Sequence, residues 1–433
     1  MDTKVFKFGG ASIANHDLIK NVRSIIESYG DSQIVIVISA MGKTTNALEL
    51  VVQSYIDTKG GSIPSSLMEQ IIEDHIVHAR SLGIDTDLLL SKFQNYISES
   101  QELLKIIDIS DHAAIYAQIV SLGELFSTTM VEMYLSHTEM KSTWLDVRTV
   151  IKSDDNYKDA TVNYNSSVLN IRERTQVLFK EKQYIVTQGF IASTPMAYTT
   201  TLGREGSDYT AAIFAYAMDA GQLTIWKDVP GILTADPRRF DNVELLPKLS
   251  YSEAIEMTYY GATVIHPKTI RPIQNKSIQL HVRSYLNPKD GGTVISDQGL
   301  PNYPPIVVVQ DNRLMIQITT KDFTFIAENH LSIIFSTLNA HRIKMSVMRN
   351  SAISFTLIVK DPGKDRLKKF TDALGDNFSF DVFDKLQLIT IRYAQAPLIE
   401  ALTKNKVILF EERMKSTIQL VVRPALELKE KEV

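Results

Sequence analysis

The sequence contains no cysteine. This absence excludes disulfides, thiolate nucleophiles and cysteine-based metal sites, and it fits a reducing compartment. Long hydrophobic runs are also missing, since no apolar run approaches the roughly 18–20 residues that a membrane helix needs. The N-terminus has no basic start, apolar stretch and small-residue cleavage site of the kind a signal peptide shows. We therefore expect a cytoplasmic protein that does not enter a membrane.

An excess of positive charge is missing as well. The 433 residues include 46 Lys and Arg against 50 Asp and Glu, a formal net charge of −4. Because duplex binding depends on clustered positive charge, this balance argues against nucleic acid as a partner. At about 100–200 residues per domain, the length predicts two to four domains. The hydrophobic fraction of 44% allows a sizeable core.

Strand and helix signals alternate in the N-terminal part of the chain. The short β-branched and aromatic runs that predict strands are residues 5–8, 34–38, 184–187 and 223–226. Residues 17–29 have helical spacing, whereas residues 64–136 have helical periodicity and few strand signals. We therefore expect an α/β domain over residues 1–298, a mainly parallel sheet sandwiched by helices, with a helical subdomain at 64–136.

The pattern changes after a proline-rich segment. Residues 299–305, GLPNYPP, contain three prolines and one glycine, so we expect a linker over residues 299–311. Beyond it, strand and helix signals repeat in βαββ order. The predicted strands are 314–318, 344–348, 354–359, 388–392, 407–411 and 417–422, and the predicted helices are 327–340, 364–374 and 397–403. This repeat predicts an α+β region over residues 312–433, with a charged and frayed tail at 426–433.

The first motif that points to chemistry is KFGGAS, at the end of the first predicted strand. The strand delivers Lys7, and Gly9 and Gly10 let the backbone approach a ligand. Backbone N–H groups without an intrahelical partner, at the start of the next helix, can bind an anion, most simply a phosphate. The alternative is a glycine turn beside a surface lysine.

A second motif, SAMGKTTN, begins at Ser39 and follows the second predicted strand. It is not a P-loop, because Val37 stands where that motif needs a glycine. The motif predicts a small polar loop at the carboxyl end of a parallel strand, where ligands bind in open α/β sheets. A simple helix cap by Thr44 or Thr45 is the alternative.

The most informative motif is TTTLGREGSDYTAA, which runs from Thr199 into an apolar helix. Ser207 or Asp208 could serve merely as the helix cap, but a cap does not require Arg204 or the two glycines. Arg204 offers a planar fork for a carboxylate, so we interpret the segment as a ligand loop.

Two further segments are rich in turn residues or small residues. WKDVPGILTADPR follows the strand at 223–226, with a hairpin as the alternative, and GATVIHP contains His266, for which we expect a packed, hydrogen-bonded role. His75 and His78 stand three residues apart on a predicted helix. No further ligand set accompanies them, so we expect a solvated helix face rather than a metal site. Taken alone, Glu124 resembles an ordinary helix acid.

Taken in order, these segments resemble the aspartokinase family of the amino-acid-kinase superfamily. KFGGAS is similar to the family's KFGGTS, VISAMGKTTN to VVSAMGKTTN, and SLGELFS to S-x-GE-x-x-S. TQGFIAS, TTTLGREGSDYTAA, WKDVPGILTADPR and GATVIHP are similar to TQGFIG, TTLGRGGSDxTA, WTDVPGIYTTDPR and GAKVLHP. The resemblance covers almost the whole chain. The C-terminal repeat resembles the family's pair of ACT domains, which are small ferredoxin-like regulatory modules.

The resemblance implies that ATP phosphorylates the side-chain carboxylate of L-aspartate, the first step toward lysine, threonine and methionine. Lys7 would neutralise the transferring phosphoryl group beside the Gly9 and Gly10 amides, and Asp208 would act with it at the reacting centre. The residues that would bind the amino acid are Ser39, Thr45, Glu124, Arg204 and Ser207. Of these, Glu124 would take the ammonium group and Arg204 the α-carboxylate.

The resemblance also implies a nucleotide side. Besides Lys7, Gly9 and Gly10, its residues would be Lys227, Asp228, Leu233, Arg238 and Thr263, with Mg²⁺ accompanying ATP and no metal ligands assigned to the protein. The chain departs from the family here, because Leu233 replaces tyrosine and Thr263 replaces lysine. Lys227 stands where the family often has threonine, and we expect it to replace the lost charge. Glu205 replaces a glycine of the substrate loop.

For regulation, the resemblance implies a homodimer and an amino-acid effector, lysine or threonine, at the ACT domains. Lysine-inhibited relatives carry a glycine before the first ACT helix, whereas FIAENHL at residues 325–331 has none. We therefore expect weak or altered inhibition by lysine.

Two other functions compete with this interpretation. One is another amino-acid kinase, acting on a different carboxylate such as that of glutamate. The other is a catalytically decayed amino-acid sensor, which the changes at Leu233 and Thr263 would fit. Lys7, Arg204 and Asp208 argue against a sensor, because a sensor needs no lysine that faces a phosphoryl group.

Overall fold

The structure, a computed structural model, describes residues 3–262 and 265–425. Its chain forms two compact units. The first contains three segments, which are residues 3–232, Leu245–Thr258 and residues 265–300. The second contains Leu233–Glu244, Tyr259–Ala262 and the described residues from Pro301 onward. The charged tail that the sequence predicts to be frayed, residues 426–433, lies outside the described residues.

The first unit is built on a mainly parallel sheet, as predicted. Its strands are β1 (Thr3–Phe8), β2 (Gln33–Ile38), β3 (Ser142–Leu145), β4 (Tyr184–Gln188), β5 (Ile191–Ser193), β6 (Thr199–Thr201), β7 (Gln222–Lys227), β8 (Lys248–Ser250), β9 (Gln279–Ser284) and β10 (Thr293–Ser296). The sheet order is β3-β4-β2-β1-β7-β9-β10-β8, with β9 and β10 antiparallel to each other. β5 and β6 form a separate antiparallel pair.

The helices of this part of the chain include the one predicted at residues 17–29, which the structure places at His16–Glu27. They are α1 (His16–Glu27), α2 (Thr44–Asp57), α3 (Ser65–Leu82), α4 (Thr86–Leu104), α5 (His112–Val120), α6 (Leu122–His137), α7 (Val147–Val150), α8 (Tyr164–Leu178), α9 (Gly206–Ala217), α10 (Tyr251–Tyr259) and α11 (Pro267–Gln274). α1 shows why the pattern predicts helices well, because its apolar positions 19, 22, 25 and 26 are all buried. Asn15 caps this helix by accepting a hydrogen bond from the Leu18 amide.

Residues 34–38 confirm the prediction of a strand that is buried on both faces. All five side chains are inaccessible to solvent, because β2 lies between β1 and β4 and contacts the helices α6 and α9. Such a strand needs no polar face, which explains its continuous apolar sequence.

The predicted helical subdomain corresponds to the four consecutive helices α3–α6. The stretch His112–His137 is long and apolar enough to cross a membrane by length and composition. However, 94% of its apolar window is buried inside the protein, which is the behaviour of a core helix.

His75 corrects a prediction made from the sequence. The side chain does not lie on a solvated helix face but is fully buried, with its ring edge-on to Phe93 and Phe126. Its Nδ1 atom lies 2.8 Å from the Ile71 carbonyl oxygen, and burial lowers its pKa to about 4. Helical spacing alone does not reveal this, because α3 packs against both α4 and α6.

The second unit is an antiparallel α+β structure. Its strands are β11 (Ile306–Thr320), β12 (Met345–Asn350), β13 (Ser354–Lys360), β14 (Phe378–Arg392), β15 (Lys406–Met414) and β16 (Thr417–Pro424), and its helices are α12 (Glu328–Ala340), α13 (Lys364–Leu374) and α14 (Ala396–Thr403). The sheet order is β12-β13-β11-β14-β16-β15. The predicted βαββ repeat is confirmed as β11-α12-β12-β13 and β14-α14-β15-β16, and the two long strands β11 and β14 join the repeats into one sheet.

The segment predicted as a linker is shorter than expected. Residues 299–305 form neither helix nor strand, but β11 begins at Ile306, inside the predicted 299–311 segment. The reason is that the apolar residues after the last proline pair with β14, starting with Ile306 opposite Arg392.

Residues 233–244 pack inside the second unit. Ala235 and Phe240 lie against an apolar cluster of the sheet that includes Val307, and the Val307 amide donates to the Thr234 carbonyl over 2.8 Å. This segment therefore shares the core of a sheet that lies far from it in sequence.

Candidate active site

The loops that follow β1, β2, β4 and β7 leave the sheet at one edge. The register of the parallel strands aligns Phe8 with Ile38 and with Trp226, and it aligns Ile38 with Gln188. The motifs KFGGAS, SAMGKTTN and WKDVPG therefore begin side by side at the carboxyl edge of the sheet. In open α/β sheets this edge is where ligands bind.

Glycine is required where these loops approach one another. A Cβ atom on Gly10 would lie 2.4 Å from the Ala40 carbonyl oxygen, and the Gly42 amide donates to the Gly10 carbonyl over 3.0 Å. A Cβ atom on Gly189, just after β4, would lie 2.4 Å from the Ser207 Cβ. Both contacts are shorter than real Cβ atoms make, so these two positions exclude a side chain unless the backbone moves.

Lys7 and Asp208 form a buried ion pair at this edge. The Lys7 Nζ lies 2.7 Å from the Asp208 Oδ1, and the two side chains are only 12% and 3% exposed. On the other side of the carboxylate, the Lys227 Nζ lies 3.5 Å from Oδ2. Burial alone would raise the pKa of Asp208, but the charges and hydrogen bonds of the two lysines outweigh it and lower the pKa below its usual value. The result is a carboxylate that holds two ammonium groups in place.

Two serines connect the second and third motifs. The Ser39 hydroxyl donates to the Ser207 hydroxyl over 3.0 Å, and the Ser127 hydroxyl of α6 donates to the Ser39 carbonyl over 2.8 Å. The structure therefore brings Ser39 and Ser207, which the sequence predicted as substrate residues, beside Asp208 in the first turn of α9.

Glu124 is not the ordinary helix acid that its local sequence resembles. It is fully buried at the start of α6, and one of its oxygens accepts a hydrogen bond from the Ala40 amide over 3.1 Å. The other oxygen has no hydrogen-bond partner within the described residues. Burial raises the pKa of Glu124 to about 8, and the Ala40 amide and the charge of Lys7 offset this only in part. A buried carboxyl group with a free oxygen is suited to receive a cation.

Tight helix packing explains the position of Glu124. A Cβ atom on Gly123 would lie 2.9 Å from the Ala40 Cβ and 3.5 Å from the Thr44 methyl group. α6 therefore begins directly against the SAMGKTTN loop and the start of α2. Thr45, predicted to bind the amino acid, lies half-buried in the first turn of α2.

Arg204 and Glu205 precede α9 and differ in their surroundings. Arg204 is exposed, and no ion pair or hydrogen bond involves its side chain within the part of the chain that the structure describes. Glu205 is half-buried in a left-handed conformation, with φ of 55°, where the family usually has glycine. For a residue with a Cβ this conformation costs roughly 1–2 kcal/mol. Burial raises the pKa of Glu205, against the lowering effect of Lys227.

Of the residues predicted for the nucleotide side, Lys7 and Lys227 are the two that pair with Asp208 at this edge. Asp228 is exposed after β7, Leu233 and Arg238 belong to the second unit, and Thr263 lies outside the described residues. The Arg238 side chain is 86% exposed and donates twice to Asp236, two residues before it. His266, as predicted, is a hydrogen-bonded residue, because its ring accepts from the Lys268 amide at the start of α11.

Two residues at this edge, Gly189 and Ser127, were not predicted from the sequence. Gly189 stands within TQGFIAS and Ser127 within SLGELFS, and both motifs were recognised without a role for these positions. The signal for Gly189 was a glycine directly after a buried strand. No local pattern distinguishes Ser127, whose role depends on the approach of α6 to the loop after β2.

The fold and this arrangement define a class of protein: an α/β protein that holds buried charged groups at the carboxyl edge of a parallel sheet. Residues 2–284 match the amino acid kinase family. The chain is 30% identical over 371 residues to the lysine-sensitive aspartokinase 3 of Escherichia coli, covering 83% of this chain and 78% of that protein. It is 32% identical over 371 residues to the chloroplastic aspartokinase 1 of Arabidopsis thaliana, covering 84% of this chain and 64% of the relative.

Other similar proteins are longer. The chain is 35% identical over 298 residues to a chloroplastic bifunctional aspartokinase/homoserine dehydrogenase 2 of Arabidopsis thaliana. That match covers 67% of this chain and 32% of the relative, so the chain spans about a third of the length of the bifunctional relatives that it matches.

Solved structures show the same fold. Aspartokinase III of Escherichia coli in complex with lysine and aspartate superposes with a TM-score of 0.79 at 24% identity, covering 99% of this chain and 97% of that one. Aspartate kinase of Clostridium acetobutylicum gives a TM-score of 0.79 at 21% identity, with 99% and 98% covered. The chain belongs to the amino acid kinase family, among the aspartokinases. The predicted fold class, including the C-terminal α+β region, is thereby confirmed.

Proposed function

We propose that this protein is an aspartate kinase, which transfers the γ-phosphoryl group of ATP to the side-chain carboxylate of L-aspartate and releases 4-phospho-L-aspartate and ADP. The observation that carries the proposal is the buried Lys7–Asp208 pair, with the partly unbonded carboxyl of Glu124 in the same unit. Family membership supports it, since the relatives include aspartokinases. A structural neighbour, aspartokinase III of Escherichia coli, was solved with aspartate and ADP.

The chemistry agrees with these residues. A carboxylate is already a nucleophile, so no strong general base is needed, and the obstacle is to bring an anion to a polyanion. Lys7 would neutralise charge on the transferring phosphoryl group beside the Gly9 and Gly10 amides, while Asp208 positions the lysine. Catalysis would thus consist mainly of positioning and charge neutralisation.

Recognition of the amino acid requires one anion and one cation. We assign Glu124 to the ammonium group and Arg204 to the α-carboxylate, with Ser39, Thr45 and Ser207 as further contacts. Because the pKa of Glu124 lies at about 8, its carboxyl group is mostly protonated near pH 7. The positive charge of an incoming ammonium group would favour its ionisation.

The nucleotide side is proposed from the resemblance. It comprises Lys7, Gly9, Gly10, Lys227, Asp228, Leu233, Arg238 and Thr263. We propose that Mg²⁺ enters as its complex with ATP, because phosphate oxygens are good ligands for this ion. Lys227, already paired with Asp208, would supply the cation that the family has as lysine at position 263.

For the C-terminal region, we propose that residues 312–433 act as a regulatory pair of ACT domains and pair with those of a second copy in a homodimer. The proposed effector is lysine or threonine, with weak or altered inhibition by lysine. Domain limits of 1–298 and 312–433, and a location in the cytoplasm, stay predictions of the sequence.

A coupled assay of ADP release tests the function. With ATP, Mg²⁺ and L-aspartate we expect turnover, and with L-glutamate in place of L-aspartate we expect little or none. Turnover with glutamate and not with aspartate would instead support another amino-acid kinase. Binding of amino acids without any turnover would support the decayed sensor. Addition of lysine or threonine to the same assay identifies the effector.

A further inference from the structure

Lys158 is a positively charged residue that has no role in the function proposed above. It lies in the loop between α7 and α8, is exposed, and has its Nζ 4.3 Å from the centre of the Tyr116 ring. Among the described residues no carboxylate forms an ion pair with it. Because Lys158 is exposed to water, its contact with the half-buried Tyr116 ring gains only about 0.5–1 kcal/mol, so a carboxylate ligand can draw Lys158 away from the ring.

The loop of Lys158 is attached to the strand that leads to Arg204. The Thr201 hydroxyl, at the end of β6, donates to the Lys158 carbonyl over 2.9 Å. The Ala160 amide donates to the Thr201 carbonyl over 2.9 Å. Arg204 follows Thr201 by three residues, so the same short strand supports both cations.

Tyr116 connects Lys158 to α2, the helix that carries Thr45. The Tyr116 hydroxyl donates to the Glu49 carboxylate over 3.2 Å. Glu49 lies one helical turn after Thr45 on α2, and residues four apart share a helix face. Burial, followed by the charge of Glu49, raises the pKa of Tyr116 to about 12, so the hydroxyl keeps its proton and donates it to Glu49.

We propose that Lys158 is a second cation of the amino-acid site, which leaves the Tyr116 ring to pair with the α-carboxylate of the acceptor beside Arg204. This inference rests on the proposed function. The α-carboxylate is the suitable partner because it stays charged throughout the reaction. A lysine bound to the reacting side-chain carboxylate would instead hydrogen-bond to the oxygen that must attack phosphorus, and would make that oxygen a weaker nucleophile.

Steady-state kinetics of Lys158→Met test the proposal. We expect the KM for aspartate to rise about tenfold, since ion-paired hydrogen bonds are stronger than neutral ones, while kcat and the KM for ATP change less than about twofold. Lys158→Arg keeps the charge and should stay within about threefold of the wild type. Lys182→Met is the matched control, because Lys182 is an exposed lysine just before β4, at the opposite end of the strand from the site.

The α-amide of aspartate identifies the group that Lys158 contacts. Measured as a competitive inhibitor against aspartate, it should bind equally well to the wild type and to Lys158→Met, because it lacks the negative charge. Equal losses for aspartate and its α-amide would overturn the proposal and indicate a structural role, as would a fall in kcat together with the melting temperature. An unchanged KM for aspartate would also overturn it.

The assay separates the two hypotheses. If the wild type releases ADP with aspartate and Lys158→Met behaves identically, only the role of Lys158 is wrong. If the wild type shows no aspartate-dependent release of ADP, the proposed function fails and the role of Lys158 fails with it.

Discussion

The residues proposed for the candidate site fall into a buried group and an exposed group. In the buried group, Asp208 and Glu124 are shielded from solvent and Lys7 is paired with Asp208, all within the first unit. In the exposed group, Arg204 is proposed for the amino acid and Arg238 for the nucleotide, and Arg238 donates to an aspartate of its own loop. A buried charge needs fixed partners, whereas an exposed one is satisfied by water. The buried group is therefore held in place by folding itself, and we expect its substitutions to cost more.

The largest effect should come from the buried ion pair. Lys7→Met should lower kcat about 10³-fold, or roughly 4 kcal/mol of transition-state stabilisation, because the charge on the phosphoryl group loses its neutralising partner. Steady-state ADP release measures it, with Lys182→Met as the control. A kcat within tenfold of the wild type would show that Lys7 does not face the phosphoryl group.

The next effect should come from the close approach of loops at the sheet edge. Gly189→Ala should lower the free energy of unfolding by about 1–3 kcal/mol, because its Cβ meets the Ser207 Cα at 2.7 Å. Urea unfolding measures it. Gly291→Ala is the matched control, since its Cβ would have no neighbour within 4 Å. Equal stabilities of the two variants would mean that this edge is loosely packed.

A smaller effect concerns pH. The pKa of Glu124 is raised from 4.5 to about 8 in the folded protein, so the folded state keeps a proton that the unfolded state loses. Its stabilising contribution is full below about pH 4.5 and is lost as the pH rises toward 8. In the Glu124→Gln variant the side chain at position 124 cannot ionise. Urea titrations should therefore show that the free energy of unfolding of the wild type, relative to that of the variant, falls as the pH rises from 4.5 to about 8.

The matched control for this titration is Glu102→Gln, because the Glu102 side chain is 70% exposed. Its stability relative to the wild type should not vary over the same pH range. A flat difference for Glu124→Gln as well would mean that Glu124 ionises normally and that the amino-acid side is open to water.

The smallest effect is expected at an exposed residue proposed for the nucleotide. Arg238→Ala should raise the KM for ATP only about two- to fivefold, because an exposed, solvated charge contributes little. Arg174→Ala, an exposed arginine of α8, serves as the control in the same assay. A rise well above tenfold would remove the contrast between the buried and the exposed residues of the proposed site.

Much of the fold was predictable, because burial follows local patterns there. The strand at 34–38 is apolar throughout and lies inside the sheet, and α1 has its apolar residues on one face. The strand that ends in paired glycines also pointed to Lys7 and Gly10, which lie against other loops of the sheet edge, while the binding of a ligand there stays a prediction.

The remaining features depend on contacts between distant segments. The burial of Glu124 follows from the packing of Gly123 against Ala40, and that of His75 from Phe93 and Phe126 on other helices. Ala40 is not close in sequence to Glu124, nor are the two phenylalanines close to His75. The sequence around Glu124 or His75 therefore indicates only a polar position on a helix. The assignment of residues 233–244 to the second unit likewise rests on a sheet that begins at Ile306.

The assignment of residues 233–244 to the second unit limits where the chain can be divided into fragments. Each unit is composed of three separate chain segments, so a cut at the proline-rich segment would not yield two self-sufficient halves. A fragment ending at residue 298 would retain Ala235 and Phe240 without the apolar cluster on which they pack. Fragments for crystallisation or for domain exchange would have to keep this insert together with the C-terminal sheet.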